Sequence, residues 1–509
     1  MLMSENLFTV LKAGFPTDQT VCFIKTGNGE SLSYADMIAR SAQYANALSG
    51  LGVTPGDRVA VQVEKSPEAL MLYLGAIRAG AAYLPLNTAY TTTELSYFLS
   101  DSEPRLVVCR SGSEADIGTI GGTARIETLG DSGDDGSLLG LVNEASTSFE
   151  DVSSGPDDLA AILYTSGTTG QAKGAMLSHG NLSSNAKALA ETWAFTAQDR
   201  LLHALPIYHT HGLFTASNTI LHAGASMIFL PRFDVDQVID LLPDATAMMG
   251  VPTFYSRLLQ SDRLTPESVK HMRVFISGSA PLSPEIHSEF EARTGHSILE
   301  RYGMTETGMN TSNPYDGARH AGTVGFPLPG VELRIADPET GAELKQGEIG
   351  SIELRGPNVF KGYWRLPEKT REEFREDGFF ITGDLGMIDD LGYVNIVGRE
   401  KDMIISGGFN VYPAEIETAI DAIDGVAESA VIGVPHPDFG EGVTAVVACK
   451  PGRTLAEEDV VAPLSGTLAR FKQPKRVFFV DALPRNSMGK VQKRDLRERF
   501  AGVFSTSGA

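Results

Sequence analysis

Cysteine is scarce in this chain: Cys22, Cys109 and Cys449 are all there is in 509 residues. An odd, scattered set excludes a disulfide framework and a cysteine-based zinc site. All three are expected to be small buried hydrophobes in a reducing compartment. Basic residues are in deficit, 42 against 64 acidic ones, for a formal charge of −22. Attachment to nucleic acid or to an anionic membrane surface needs a basic face, so neither is expected. Local basic groups can still hold small anions, and the acidic surplus otherwise serves solubility. Also lacking are an apolar run long enough to cross a bilayer and a leader of basic, apolar and small residues at the start, MLMSENLFTVLKAGF. A cytoplasmic protein without stable membrane attachment is expected. No internal repeat or low-complexity tract is evident.

Hydrophobic residues make up 42% and charged residues 21%, enough for a substantial core, and the length predicts more than one domain. LSYADMIARSAQYANALSGLG spaces apolar residues three and four apart and closes on glycine, which predicts a helix. SPEALMLYLGAIRAG predicts another, with Ser66 as cap, Pro67 in the first position and Gly80 at the end. GDRVAVQV, YLPLN and RLVVC read as strands, and the repeated order predicts layered α/β architecture with largely parallel sheets. Residues 112–158, rich in Gly, Ser and Asp, read as a variable surface region. After about residue 330, VELRIAD, GEIGSIELRG and GYVNIVGR predict a small β-rich unit. MIISGG, PAEIETAIDAI, ESAVIGVP, TAVVACK and KRVFFVDALP then make a compact α+β module. The fold class is α/β: a large N-terminal domain over 1–400, of layered α/β subdomains plus the β-rich one, and a small α+β domain over 401–509. The boundary falls at Gly398–Asp402.

The strongest single signal is YTSGTTGQAKG at 164–174, preceded by the apolar run LAAIL. Glycines let a backbone approach phosphate oxygens, hydroxyls and amides donate to them, and Lys173 adds a mobile positive charge. The spacing is not that of the usual P-loop. A plain flexible loop is the competing reading.

This stretch resembles the phosphate-loop signature of the adenylate-forming family, which includes acyl-CoA synthetases, aryl-CoA ligases, luciferases and peptide-synthetase adenylation domains. LPIYHTHG at 205–212, SGSAPL at 277–282, RYGMTET at 301–307, TGDLG at 382–386, GREKDMIISGGFNVYPAEIE at 398–417 and PRNSMGKVQK at 484–493 resemble its other motifs, in the same order. The resemblance implies an AMP-forming acid–thiol ligase that uses ATP, Mg²⁺ and CoA. It implies nucleotide binding by Thr165, Ser166, Gly167, Thr168, Thr169, Gly170 and Lys173 around the phosphates. Gly278, Ser279, Ala280, Pro281 and Tyr302 would form the wall around the adenine, and Glu300, Arg301, Gly303, Met304 and Thr305 would also belong to the ATP site. Asp384 would accept the ribose hydroxyl protons, Arg399 would assist on the ribose or phosphate side, and Thr165 and Glu306 would hold Mg²⁺. Lys490 would be a mobile catalytic lysine that faces ATP in one pose, with His209 and Glu306 as further catalytic groups. Lys401–Asp402 would be the hinge of a mobile C-terminal domain, and Gly407–Gly408 would open a thiol tunnel. An acetyltransferase acting on Lys490 would be a partner.

Two features bear on the acid. The YHTHG segment offers His209, Thr210 and His211 but no carboxylate for an amino group, so an α-amino acid is not expected. The two histidines, at i and i+2, could share a strand face and bind metal, but no third ligand is near; His209 as the gate beside the acyl site is the stronger reading. Arg301 stands where relatives acting on apolar acids have a small or uncharged residue, and an arginine there would give a second carboxylate a two-pronged partner. In LERYGMTET and LPIYHTHGLF the chain resembles malonyl-CoA synthetases, with Thr210, Ser277, Ser279 and Met309 completing a small pocket. Malonate or methylmalonate is the expected acid. The alternatives are another short-chain or aryl acid, or the loading of a carrier-protein thiol. An internal pair between Arg301 and Glu300, or another acid, would remove the main reason for malonate.

Overall fold

The computed structural model describes residues 4–165, 172–465, 467–485 and 490–504. Short aliphatic runs form a first sheet of six strands, in the order Arg125–Thr128, Leu106–Cys109, Arg58–Gln62, Ala82–Pro85, Leu159–Thr165 and Lys173–Ser178. Neighbours are parallel except the last pair, whose register sets Thr165 opposite Lys173. The phosphate-loop sequence is therefore anchored at both ends in one sheet. A second sheet of nine strands has a parallel centre, Leu299–Met304, Val274–Ser277, Ala247–Gly250, Arg200–His203, Ser226–Phe229 and Cys22–Thr26. Antiparallel strands close its edges.

Helix Pro67–Arg78 lies between these sheets. The Ser66 side chain accepts from the Ala69 N–H, and every residue from Ala69 to Arg78 is buried. A helix apolar nearly all round has to lie inside the molecule. One continuous core joins its Leu70, Leu74 and Ile77 to Val59 and Val61 of the first sheet and to Leu201, Met227 and Met249 of the second. The guanidinium of Arg78 is satisfied there by Asp151 at 2.6 Å and by the Ile38 carbonyl and Ser41 hydroxyl.

Two expectations are corrected. Residues 112–158 are not merely a surface region: they contain helix Glu114–Ile120, the edge strand Arg125–Thr128 and helix Ser137–Glu144, with Ile117, Leu129, Leu138 and Val142 buried. Each element is short and buries only one side, so its few apolar residues are diluted by the Gly, Ser and Asp that turn the chain. Of the cysteines only Cys109 is buried; Cys22 and Cys449 are half-buried, each at a strand end where cover is thinner, and all three are free.

The β-rich unit is an antiparallel sheet of Glu332–Ala336, Gly350–Arg355, Phe380–Ile388 and Val394–Arg399. Glu353 has no exposed surface and is held by Arg334 and Arg375, each at 2.8 Å. Glu353→Ala would take the shared carboxylate from two guanidiniums, at a cost of about 3–5 kcal/mol. The first unfolding transition in a urea titration should therefore move to lower urea, while a loss under about 1 kcal/mol, the scale of a surface pair, would contradict this account.

The last module has its own sheet, Phe409–Val411, Ile404–Ser406, Gly440–Cys449 and Val426–His436, with Arg476–Val480 added parallel to Gly440–Cys449. It also has its own core of Ile416, Ile420, Val431, Ala445, Val447 and Leu464, fed by helices Pro413–Asp421 and Glu457–Leu464. The short turn Glu400–Asp402 joins this module to strand Val394–Arg399, and Asp402 pairs with Arg497 at 2.7 Å. Among the described residues no helix is long and apolar enough to cross a membrane.

Candidate active site

Strands Val274–Ser277 and Leu299–Met304 are parallel neighbours, with Ser277 in register with Glu300. Their ends deliver the chemistry. Side chains alternate across a strand, so Glu300 and Arg301 leave on opposite faces. The Glu300 carboxylate accepts from the Leu282 N–H at 3.0 Å, which ties the stretch 278–282 to the strand. Burial pushes Glu300 up to about 8. Arg301 turns the other way and lies flat on Gly278, where an added Cβ would come within 2.3 Å of the guanidinium carbon. Next to it Ser279 adopts a left-handed backbone, φ 72°, a conformation that costs a serine about 1–3 kcal/mol and that clusters at ligand sites.

Arg301 is 3% exposed, yet its Nε and Nη2 have no hydrogen-bond partner, and among the described residues it makes no ion pair. Burial pulls it down to about 9, against the opposing influence of Tyr255 and Glu300. Thr210 Oγ1, Ser277 Oγ and His211 Nε2 are likewise buried without partners. Buried polar groups are nearly always satisfied in folded proteins, so four such residues together mark a place for a polar ligand.

The histidines do not share a strand face as the spacing allowed. His209 lies in an irregular stretch, and His211 opens a π-helix, His211–Ser217. His211 Nδ1 is 3.2 Å from Ser279 Oγ, and His209 Nδ1 accepts from the His211 N–H at 3.3 Å. Burial, then Lys490 and Arg301, pull His209 down to about 3; burial and Arg301 hold His211 well below its ordinary value. Both rings are neutral near pH 7. Among the described residues no group of three His, Cys, Asp or Glu side chains could hold a metal.

On the nucleotide side, Thr165 Oγ1 donates to the Lys173 carbonyl at 3.4 Å. Ser166, Gly167, Thr168, Thr169 and Gly170 lie outside the described residues. Lys173 pairs with Glu373 at 3.2 Å and sits 4.0 Å over the Tyr363 ring. Glu306 is buried and accepts from the Tyr363 hydroxyl at 3.1 Å; burial raises it, while hydrogen bonds, Arg399 and Lys173 oppose the rise. Asp384 takes the Tyr302 hydroxyl at 2.5 Å on one oxygen and Arg399 at 2.9 Å on the other. Thr165 and Glu306 offer oxygen donors only, a set that fits a hard cation such as Mg²⁺. Gly303 lies across the strand pair from the buried Met309, Met304 and Thr305 are half-buried beyond it, and Ala280 and Pro281 lie in the irregular stretch after Ser279.

Lys490 reaches this cleft from the other module. Solvent still touches its side chain, but the surrounding protein and Arg399 lower its ammonium, whereas Asp384 and Glu306 pull it back up. Gly407 and Gly408, φ 60° and 83°, make the turn between Ile404–Ser406 and Phe409–Val411. A Cβ on Gly408 would meet nothing within 4 Å, whereas one on Gly407 would come within 3.3 Å of the Phe439 ring. Tyr363 and Tyr255 escaped the sequence reading: a lone tyrosine has no spacing to single it out.

Comparison with known proteins agrees with this geometry. The family model for AMP-binding enzymes matches residues 11–364, and that for the AMP-binding enzyme C-terminal domain matches 415–490. A malonate–CoA ligase from Arabidopsis thaliana is 34% identical, with 97% of this chain and 89% of that protein covered. An ATP-bound crystal structure of MatB from Rhodopseudomonas palustris is 60% identical, covers 99% of this chain and 100% of its own, and superposes with a TM-score of 0.97. The apo form of MatB, equally identical and with the same coverage, superposes with a TM-score of 0.86. Matches to both parts of the chain, at this identity and coverage, decide the matter: the chain belongs to the AMP-binding enzyme family.

Proposed function

We propose that this protein ligates malonate to CoA through a malonyl-adenylate. The single observation that carries the acid is Arg301, a buried guanidinium with unpartnered donors, beside unpartnered Thr210, Ser277 and His211. A second carboxylate is the group these donors lack. An apolar or aryl acid would leave the cation stranded, at a cost of several kcal/mol. The malonate–CoA ligase among its relatives supports the same reading.

In the first half-reaction a malonate carboxylate oxygen attacks the α-phosphorus of ATP. The bond to the bridging oxygen breaks and pyrophosphate leaves. Both reactants are anions, so the protein's work is positioning and charge neutralisation. Thr165 and Glu306 would hold Mg²⁺, which supplies neutralising charge on the phosphates. Asp384 would take the ribose hydroxyls, with Tyr302 and Arg399 fixing its orientation. Lys490 would meet the charge developing between carboxylate and α-phosphate. In the second half-reaction the CoA sulfur attacks the acyl carbon, the acyl–oxygen bond breaks, AMP leaves and the thiol proton passes to solvent.

We further place the domain boundary at 400/401, with Lys401–Asp402 as the hinge and Gly407–Gly408 as the part of the small domain that turns toward the thiol path. The separate sheets and cores on either side of Glu400–Asp402 support this. The three free cysteines support a reducing cytoplasm. The solvent-touched side chain of Lys490 suits an acetyltransferase that would remove the charge needed in the first step.

The test is a product assay with MgATP, free CoA and a panel of acids. AMP, pyrophosphate and malonyl-CoA should form, with malonate preferred to propionate and benzoate. ADP and phosphate as the only nucleotide products would refute the reaction class. Thioester formation only on a carrier protein would refute CoA as acceptor.

A further inference from the structure

Lys65 is 7% exposed and has burial as the sole influence on its titration, which lowers it well below the ordinary lysine range. A lysine so placed needs strong acceptors. Its Nζ donates to the His203 carbonyl at 2.8 Å, meets Nδ1 of the same residue at 2.9 Å and lies 4.2 Å over the Phe229 ring. The other ring nitrogen, Nε2, is 2.9 Å from the Gly212 carbonyl. A carbonyl only accepts, so Nε2 carries the proton. Burial and Lys65 hold His203 well below its ordinary value, so the ring is neutral and Nδ1 is left to accept from Lys65.

The Ser217 hydroxyl also donates to the Gly212 carbonyl, at 3.0 Å. Gly212 is the second residue of the π-helix His211–Ser217. It directly follows Thr210 and His211, whose unpartnered Oγ1 and Nε2 belong to the acid pocket. Local π geometry is irregular and needs support from outside the helix.

We propose that Lys65 is a positioning residue for the acid pocket: through His203 it pins the Gly212 carbonyl, and with it the stance of Thr210 and His211. This rests on the reading of that pocket as the malonate site. Lys65 touches no substrate; by donating to Nδ1 it holds in place the ring whose Nε2 proton grips the turn.

Three variants test it: Lys65→Met, His203→Gln and the double variant. Lys65→Met keeps the bulk and removes the donor. The Gln amide can donate to the Gly212 carbonyl without help from Lys65. Lys65→Met should raise KM for malonate about tenfold, the scale of one buried hydrogen bond, with KM for ATP and CoA within about twofold. In the His203→Gln background, Lys65→Met should add little, because the coupling runs through the ring. Histidine-selective ¹⁵N NMR should show one neutral His203 form protonated on Nε2 in the wild type, with the Nδ1 resonance shifted in Lys65→Met, where that nitrogen loses its donor. Unchanged KM for malonate, an equal rise in KM for all three substrates together with a lower melting temperature, additive effects in the double variant, or an unchanged ring spectrum would each overturn the proposal. The spectrum is read without turnover, so a wild type that makes no malonyl-CoA would fail the substrate reading while leaving the link from Lys65 to His203 decided on its own.

Discussion

Arg301→Ala should lower kcat/KM for malonate by roughly two to three and a half powers of ten, the equivalent of about 3–5 kcal/mol for a carboxylate buried without its partner. Activity with acetate or propionate should fall far less, and a rise is consistent with the account, since the cation that opposed an apolar acid is gone. The ligand-free enzyme supplies the second half of the test. Glu300 is engaged with the Leu282 N–H, not with Arg301, so no internal pair is broken. Replacing Arg301 by Met, which restores apolar bulk, should leave the ligand-free melting temperature level or raise it, as expected when a site gives up strain held for function. Kinetics with malonate and propionate, beside thermal melts, decide it. A uniform drop with both acids and a lower melting temperature would return Arg301 to a structural role and leave only the general ligase reading.

Lys490→Ala should separate the half-reactions. Adenylate formation, followed by pyrophosphate release, should fall by about two to three powers of ten, the scale of losing one preorganised charge at a developing anion. Thioester formation from supplied malonyl-adenylate and CoA should change only a few-fold, about what an exposed side chain contributes. The asymmetry follows from the pose. Lys490 lies in the field of Asp384, Glu306 and Arg399, and the whole chain superposes better on the ATP-bound than on the apo form of MatB. The turn at Gly407–Gly408, by contrast, has open space around Gly408. Equal losses in both steps would refute the division of labour.

Much of this protein is legible in its sequence because the signals are local. Ser66 and Pro67 start their helix and Gly80 follows its end, as helix termini require of any chain with those residues. The ordered motifs from 164 to 493 name the family by resemblance, since each is a short run that can be read without knowing its neighbours in space. Short elements are less legible. In 112–158 two helices and a strand stay hidden, because each is short and its apolar residues stand among many Gly, Ser and Asp.

Pairing is what the tertiary structure alone decided. The sequence sets Glu300 beside Arg301 and allows them to neutralise each other; strand geometry sends them to opposite faces and the Leu282 N–H takes the carboxylate. It allows His209 and His211 a common strand face, whereas packing winds His211 into a π-helix. Nothing in it signals that Lys65 meets His203 across 138 positions. Periodicity and motif spacing report what the chain does over a few residues. Which buried donors find acceptors depends on contacts between distant segments, and those exist only once the two sheets have closed on their common core.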